Sequence, residues 1–436
     1  METFPPIPVS ILPADGRFGS GPSRVRPEQI DALKTPRLMG TSHRKSPVKN
    51  VVHSIREGLT TVFNLPDDYE VALGNGGASA FWDVAAASLI RKQAAFATFG
   101  EFGAKFAKEV DKAPHLADAL RVEGQLGTVV TLTGNEAGTA GEEPDAFAYP
   151  HHETSTGTIS RVNRIGGEDA LTLVDATSIA GAAHVDIANT DAYYFSPQKA
   201  FASDGGLWAA ILSPAAVERA QELHGATDRW MPTFFDLSVA ISHSRKDQTL
   251  NTPAVATLIM MDQQIQWMNA GGGLKTMEAR SRAASDLIYA WADASSVAHP
   301  FVENKDWRSP VVVTVEFDDV VDVKVLSDCL RASGIVDIDA YRGVGRHQLR
   351  IATWPSTPTS DVEALLESID WALDRALLPQ RSAQASSIAI IHRRERGRKL
   401  EHNEVLLGAT CTTLSAQALD TLLSGRVPFS FSEQSS

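Results

Sequence analysis

Hydrophobic positions change their period along this chain, and the changes predict its elements. Val48–Val62 places Val51, Val52, Ile55, Leu59 and Val62 on one broad helical face. From Tyr69 the period shortens. Tyr69–Leu73, Ala94–Phe99, Thr128–Leu132, Leu171–Val174, Ala192–Phe195 and Leu207–Leu212 are short apolar or β-branched runs, most of them closed by Gly, Asp, Asn or Ser-Pro, as strands are. Helical stretches at Ala80–Ile90 and Pro214–Leu223 fall between them. Strand–helix units repeated over residues 70–225 predict a wound α/β sheet that binds ligands at the C-terminal ends of its strands. A long helix initiated at Asn251-Thr-Pro253 runs to Asn269, Gly271-Gly-Gly273 breaks it, and Lys275–Ala294 is helical again.

Beyond Pro310 a second, smaller α/β pattern begins: strand Val311–Phe317, helix Asp322–Ser333, strands about Ile335–Ile338 and Gln348–Ala352, helix Ser360–Leu377. These patterns divide the chain into an irregular arm (1–15), a large domain (16–265), a small C-terminal domain (266–378) and an extension (379–436). From residue 380 on there are seven Lys and Arg against five Asp and Glu, in a chain whose net charge is −13. The extension's apolar pieces, Ile388–Ile391 and a helix-like Leu414–Leu423, are too short for a core, so it is expected to hold little packed structure.

The acidic balance argues against nucleic acid or an anionic membrane as partner. Two cysteines, Cys329 and Cys411, cannot make a disulfide framework or a thiolate metal site. No basic-then-apolar leader and no run of roughly 20 apolar residues is visible, so the chain reads as cytoplasmic.

The candidate chemistry gathers where strands end. Lys199 follows the strand Ala192–Phe195 after Ser196-Pro197, in a turn that closes with Gly205-Gly206. Burial there lowers a lysine's pKa and frees its amine for a carbonyl. Asp175 likewise ends an apolar strand. Pyridoxal phosphate needs such a pair, an amine for its aldehyde and a carboxylate for its ring nitrogen. Gly74-Asn-Gly-Gly-Ala-Ser79 opens a helix, which offers free N–H groups and a positive dipole end to a phosphate. As a dinucleotide fingerprint the turn fails, because the third glycine is missing. His151-His152-Glu153 are adjacent rather than spaced to converge on a metal. Arg44 beside His43 is a candidate for a carboxylate or phosphate, and of Arg342, Arg346 and Arg350, close together near a strand, the outer two are candidates for acidic substrate groups.

Asp15-Gly-Arg-Phe-Gly-Ser-Gly-Pro-Ser23, Gly40-Thr-Ser-His-Arg44, Gly74-Asn-Gly-Gly-Ala78, His152-Glu-Thr154, Val174-Asp-Ala-Thr-Ser178, Asp191–Lys199 and Thr249-Leu-Asn-Thr-Pro253 stand in one order. In that order they resemble the phosphoserine aminotransferase family, in its actinobacterial branch, over roughly residues 12–378. The resemblance implies a fold type I pyridoxal-phosphate enzyme: a large mixed-sheet cofactor domain plus a smaller α/β domain, in a homodimer with shared active sites. It implies that glutamate and 3-phosphohydroxypyruvate exchange an amino group in serine biosynthesis.

By the same resemblance Lys199 is the Schiff-base lysine and Asp175 the partner of the pyridinium. Ala78 and Ser79 hold the phosphate, and Thr154, Gln198 and Phe102 line the cofactor. Asn251 and Thr252 reach the phosphate from the partner subunit. His43, Arg44, Arg342 (substrate phosphate) and Arg350 (α-carboxylate) bind substrate. Two departures stand out: Phe102 occupies a position often held by tryptophan, and Ser79 one often held by arginine. The alternatives keep the fold and change what it does, to an alanine–glyoxylate type aminotransferase, a lyase, or a binding scaffold.

Overall fold

A computed structural model describes residues 6–34, 38–138, 143–344 and 347–374, and the backbone of 403–407 and 410–414. Met1–Leu377 form one compact unit and Leu378–Ser436 a second. The first α-helices are a short one, α1 (Pro27–Ala32), and a long one, α2 (Ser46–Phe63), which Asn64 stops in the left-handed region at φ 47°. Alternation then follows: β1 (Glu70–Asn75), α3 (Ala78–Ser88), β2 (Ala94–Thr98), α4 (Glu101–Val110), β3 (Leu120–Glu123), β4 (Ala146–Pro150), a two-residue hairpin β5 (His152–Glu153) and β6 (Thr158–Ile159), β7 (Leu171–Asp175), β8 (Ala192–Phe195) and β9 (Leu207–Leu212). Helices α5 (Pro214–His224), α6 (Leu237–Ser244), α7 (Val255–Ala270) and α8 (Gly273–Ala294) lead to a small sheet. It comprises β10 (Ala298–Pro300), β11 (Val312–Phe317) and β12 (Gln348–Ala352), interleaved with α9 (Val323–Ala332) and followed by α10 (Thr359–Ala372). The second unit contributes the antiparallel pair β13 (Asn403–Leu407) and β14 (Thr410–Leu414).

Seven strands make the large sheet in the order β1-β9-β8-β7-β4-β2-β3. The β8-β7-β4-β2-β3 pairings are parallel, and β9 runs antiparallel to both of its neighbours. Strand alternation sorts side chains onto two faces. Tyr193, Phe195, Val71 and Leu73 join α2 and α7 in one core, while Tyr194, Ala192 and Ala72 join α3, α4, α5 and α6 in the other. A third core lies between the small sheet and α8, α9 and α10, and it includes Ile7 and Phe18 from the chain's start.

The N-terminal segment is therefore tied down. Ala352 N–H donates to Phe18 O (2.9 Å), Val336 N–H to Gly16 O (2.9 Å), and the Trp354 indole to Gly19 O (3.0 Å).

Most expected elements form within a residue or two of their predicted ends; the differences have local causes. The expected strand Thr128–Leu132 takes no ladder partner; its side chains pack as irregular chain against the first core, and β3 is the sheet's edge instead. Ile335–Ile338 is broken by Asp337 at φ 64° and makes a single isolated bridge, Val336 to Arg17. Helices α4 and α6 were not anticipated, and Phe102 lies in the first turn of α4. The expected helix over 414–423 lies, past Leu414, outside the described residues, as do Ile388–Ile391 and Arg346. Among the described residues no helix is long and apolar enough to cross a membrane.

Candidate active site

Lys199 sits where β8 has ended and the chain turns back. Its Nζ donates to the Ser20 carbonyl at 2.6 Å, while its own carbonyl accepts from Ser23 Oγ at 2.6 Å. Ser23 N–H also donates to Gln198 O (2.8 Å), so the N-terminal segment grips the lysine turn from both sides. Gly21, at φ 141°, makes this approach possible: a Cβ there would stand 2.0 Å from Lys199 Nζ. Burial, reinforced by the Arg350 charge, pulls the lysine's pKa down from 10.5 to about 8.

Asp175 ends the neighbouring strand, β7. Its Oδ2 accepts from the Trp82 indole (3.1 Å) and the Tyr194 hydroxyl (3.0 Å), and its Oδ1 from Thr177 N–H (2.9 Å). Every partner is a donor, which suits an acceptor-only carboxylate. Burial first, then Asp175 itself, drives the Tyr194 hydroxyl well above the ordinary tyrosine range, so it stays a donor.

The glycine turn after β1 opens α3 as expected, with Gly76 at φ 117°. Ala78 N–H, however, donates to Ser196 Oγ at 2.7 Å, whereas Ser79 is exposed on the first turn. Ser79's amide and hydroxyl are thus the better placed of the pair to meet an anion.

The hairpin β5–β6 carries the third side of the site. The buried Glu153 carboxylate accepts from Phe102 N–H (3.0 Å) and Gly103 N–H (3.2 Å) at the start of α4, and from Ser155 Oγ (2.6 Å). Glu153 thereby fixes Phe102, whose ring lies 5.8 Å from that of Tyr341. Arg350, on β12, donates from Nη1 to Thr154 O (3.0 Å) and lies 5.2 Å over the Tyr341 ring. Arg342 is exposed and lines, with Arg350 and Gly19–Pro22, a cavity of about 350 Å³.

The adjacent histidines go separate ways: His151 Nδ1 meets Tyr193 Oη (3.1 Å) and His152 Nδ1 meets Ser178 Oγ (2.7 Å). Among the described residues no group of three His, Cys, Asp or Glu is arranged to hold a metal.

His43, Arg44, Asn251 and Thr252 form a cluster of their own. His43 Nδ1 lies 3.1 Å from Thr252 Oγ1, and Arg44, exposed, reaches Gln248 Oε1 at 3.5 Å. Burial, then Arg44, lowers the pKa of His43, whose Nε2 is buried without a partner. Asn75 joins this cluster to the first through Thr252 O and Asn251 N–H, both at 3.3 Å.

The first cluster suits pyridoxal phosphate. An amine, a carboxylate, a half-buried aromatic ring and a helix N-terminus come together. The buried polar atoms Ser20 Oγ, Thr177 Oγ1, Gln198 Oε1, His152 Nε2 and Arg350 Nε have no protein partner. A buried polar atom without a partner is costly, and a polar ligand supplies one.

Trp82, Tyr194, Ser178, Ser20 and Tyr341 were missed by sequence reasoning. A signal existed for two of them. Trp82 lies one helical turn after Ala78, and Tyr194 alternates with Tyr193 in the strand that leads to Lys199.

Residues 31–347 match the model of the family described as aminotransferase class-V. A relative from a Nocardioides species, named phosphoserine aminotransferase, is 50% identical over 373 residues, covering 84% of this chain and 98% of the relative. One of the same name from Corynebacterium glutamicum is 50% identical over 377 residues, covering 86% and 98%. Among solved structures, a phosphoserine aminotransferase from Cytophaga hutchinsonii superposes with a TM-score of 0.73 at 22% identity, covering 81% of this chain and 97% of that one. A second, from Bacillus circulans subsp. alkalophilus, gives 0.68 at 19% identity, covering 81% and 96%. At such identities the structures establish a shared fold, that of the fold type I pyridoxal-phosphate transferases.

Proposed function

The chain belongs to the aminotransferase class-V family, and on that premise we propose that it works as a pyridoxal-phosphate-dependent phosphoserine transaminase. It moves an amino group from glutamate to 3-phosphohydroxypyruvate, giving 2-oxoglutarate and phosphoserine, a step of serine biosynthesis. One observation carries this reading: half the positions are shared with a relative of that name along 98% of its length. The Lys199–Asp175 pairing supplies the chemistry it requires.

Bound pyridoxal phosphate supplies an aldehyde for amines and a protonated ring that draws electrons from the carbon under attack. The chain's residues do the rest. Lys199 Nζ, neutral in good part near its pKa of about 8, would take up the substrate's α-proton and later give it back. Asp175, steadied by Trp82 and Tyr194, would pair with the ring nitrogen and hold its proton. Ser79 and the start of α3 would hold the phosphate, and Phe102, Thr154 and Gln198 would hold the ring. Arg350 takes the α-carboxylate common to both amino acids, and Arg342 the substrate phosphate.

The second cluster fits a homodimer in which His43, Arg44, Asn251 and Thr252 complete the partner's site, since Arg44, Asn251 and Thr252 are all exposed on this chain. The working compartment in this reading is the cytoplasm.

Half-reactions of the cofactor-loaded protein with a panel of amino acids test the substrate. Glutamate and phosphoserine should each convert the cofactor to its amine form faster than alanine or serine. Alanine ahead of both would overturn the assignment in favour of an alanine–glyoxylate activity.

A further inference from the structure

The backbone carbonyls of the Lys199 turn are taken up one after another by side chains from elsewhere in the fold. Lys199 O accepts from Ser23 Oγ (2.6 Å), and Ala200 O from Gln264 Nε2 (3.2 Å). Gln29 Nε2 donates to Ala202 O (2.9 Å) and, at 3.3 Å, to Phe201 O. The same amide donates to Met260 O (2.9 Å), which ties the turn to α7. Gln29, on α1, and Gln264, on α7, are both 0% exposed, and neither has a role in the site described above.

Arg26 decides which way the two amides face. Its backbone N–H donates to Gln29 Oε1 (2.9 Å) and its Nε to Gln264 Oε1 (2.7 Å). Both groups are donors only, so a flip of either glutamine would set donor against donor and oxygen against carbonyl. The guanidinium itself lies 4.5 Å over the Trp267 ring, which helps to hold it. One arginine thus points two glutamines at three successive carbonyls of one turn.

That turn needs holding. Ala202 N–H closes it on Lys199 O (2.9 Å), and Ala202 sits in the left-handed region, at φ 48°. A residue with a Cβ is strained there, and glycine is not. Ala202 is completely buried, so its carbonyl depends on the protein for a partner. Without Gln29 the turn would relax out of the left-handed region and carry Lys199 with it.

We infer that Gln29 and Gln264, oriented together by Arg26, are positioning residues for Lys199: they hold the three carbonyls after it and keep its turn in a conformation that Ala202 does not favour by itself. This rests on the cofactor reading above, in which the lysine amine must meet an aldehyde at a fixed place.

The test compares two forms of the cofactor on the full-length protein. Pyridoxal phosphate carries an aldehyde, which joins the Lys199 amine with loss of one water. Pyridoxamine phosphate carries an amine and forms no such bond. Gln29→Met keeps the length of the side chain and removes its hydrogen bonds. It should weaken pyridoxal phosphate by about tenfold and pyridoxamine phosphate by less than about twofold, because only the first depends on where the amine sits. Adding Ala202→Gly, which removes the strain, should bring pyridoxal phosphate back to within about threefold of the parent.

Equal weakening of both forms would mark a residue that merely holds the fold, and overturns the inference. So does parental affinity in Gln29→Met, or a double variant no better than the single one. Should Gln29→Met fail to fold, Gln264→Met, which frees the Ala200 carbonyl, carries the same comparison: a selective loss of pyridoxal phosphate supports the inference and an even loss overturns it. A parent protein that binds neither form saturably overturns the cofactor reading itself.

Discussion

Around Lys199 the chain supplies most of the hydrogen-bond partners itself; around His43 and Arg44 it supplies few. Asp175 has three donors, Glu153 spans two elements, and Lys199 is held by a carbonyl. In the second cluster, Arg44 is exposed and reaches Gln248 only at 3.5 Å, the outer limit of a hydrogen bond. The difference separates two kinds of group. Those that move protons and hold a cofactor must be preorganised, since misplacement costs rate steeply. Those proposed to complete a neighbour's site would finish their geometry at the interface.

The largest effect that would test this contrast is the loss of Lys199. Lys199→Ala should keep its fold and bind cofactor, yet lose turnover by roughly 10³-fold or more, since covalent and proton-transfer roles vanish together. Borohydride treatment of the loaded parent, followed by mass spectrometry, should add the cofactor's mass at Lys199. Retained activity in the variant would remove the preorganised cluster from the chemistry.

Next in size is a complementation. Lys199→Ala and Arg44→Ala homodimers should each be crippled, while mixed dimers recover about one quarter of parental activity overall. Two-fold symmetry then leaves one intact site in each mixed dimer, and random pairing makes about half the dimers mixed. No recovery in purified mixed dimers would place both clusters in the same chain's site.

The smallest effect is in pH. Lys199 at about 8 loses its proton well below the 10.5 of an ordinary lysine, so its neutral, reactive form gains as pH rises through about 8. The folded chain thus binds fewer protons than the unfolded one between those values. Stability from this group rises with pH across that window, and its burial cost is felt in full below about 8. Labelling of Lys199 by an amine-reactive aldehyde should be half-maximal near pH 8; a midpoint near 10.5 would show that the amine is solvated like any surface lysine.

Lys199, Asp175 and the α3 turn were legible because each lies where an apolar run meets a turn residue, and strand ends are where such sheets present chemistry. Their supports were not legible. Trp82 and Tyr194 look like ordinary core aromatics until the fold brings β7 between them, and no spacing reveals that Tyr341 and Arg350 will meet. Helix α4 was hidden by Gly100 and Gly103, since glycine is a poor helix former. Gly103 instead allows the helix to approach β2 closely: a Cβ there would lie 3.1 Å from Ala97 O. Thr128–Leu132 has the composition of a strand, yet the sheet already ends at β3, and the run lies on the core without a ladder.

The Ser20 carbonyl on Lys199 has a mechanical consequence. Ser20 is two residues from Phe18, whose own carbonyl is anchored to Ala352 on the small sheet. Two residues of chain span at most roughly 7 Å, so the tether between the reactive amine and the small sheet has almost no slack. Any movement of Lys199 Nζ therefore either breaks its bond to the Ser20 carbonyl or pulls on a short leash fastened in another sheet. The position of a single side chain is thereby geared to the sheet whose strand β12 carries Arg350.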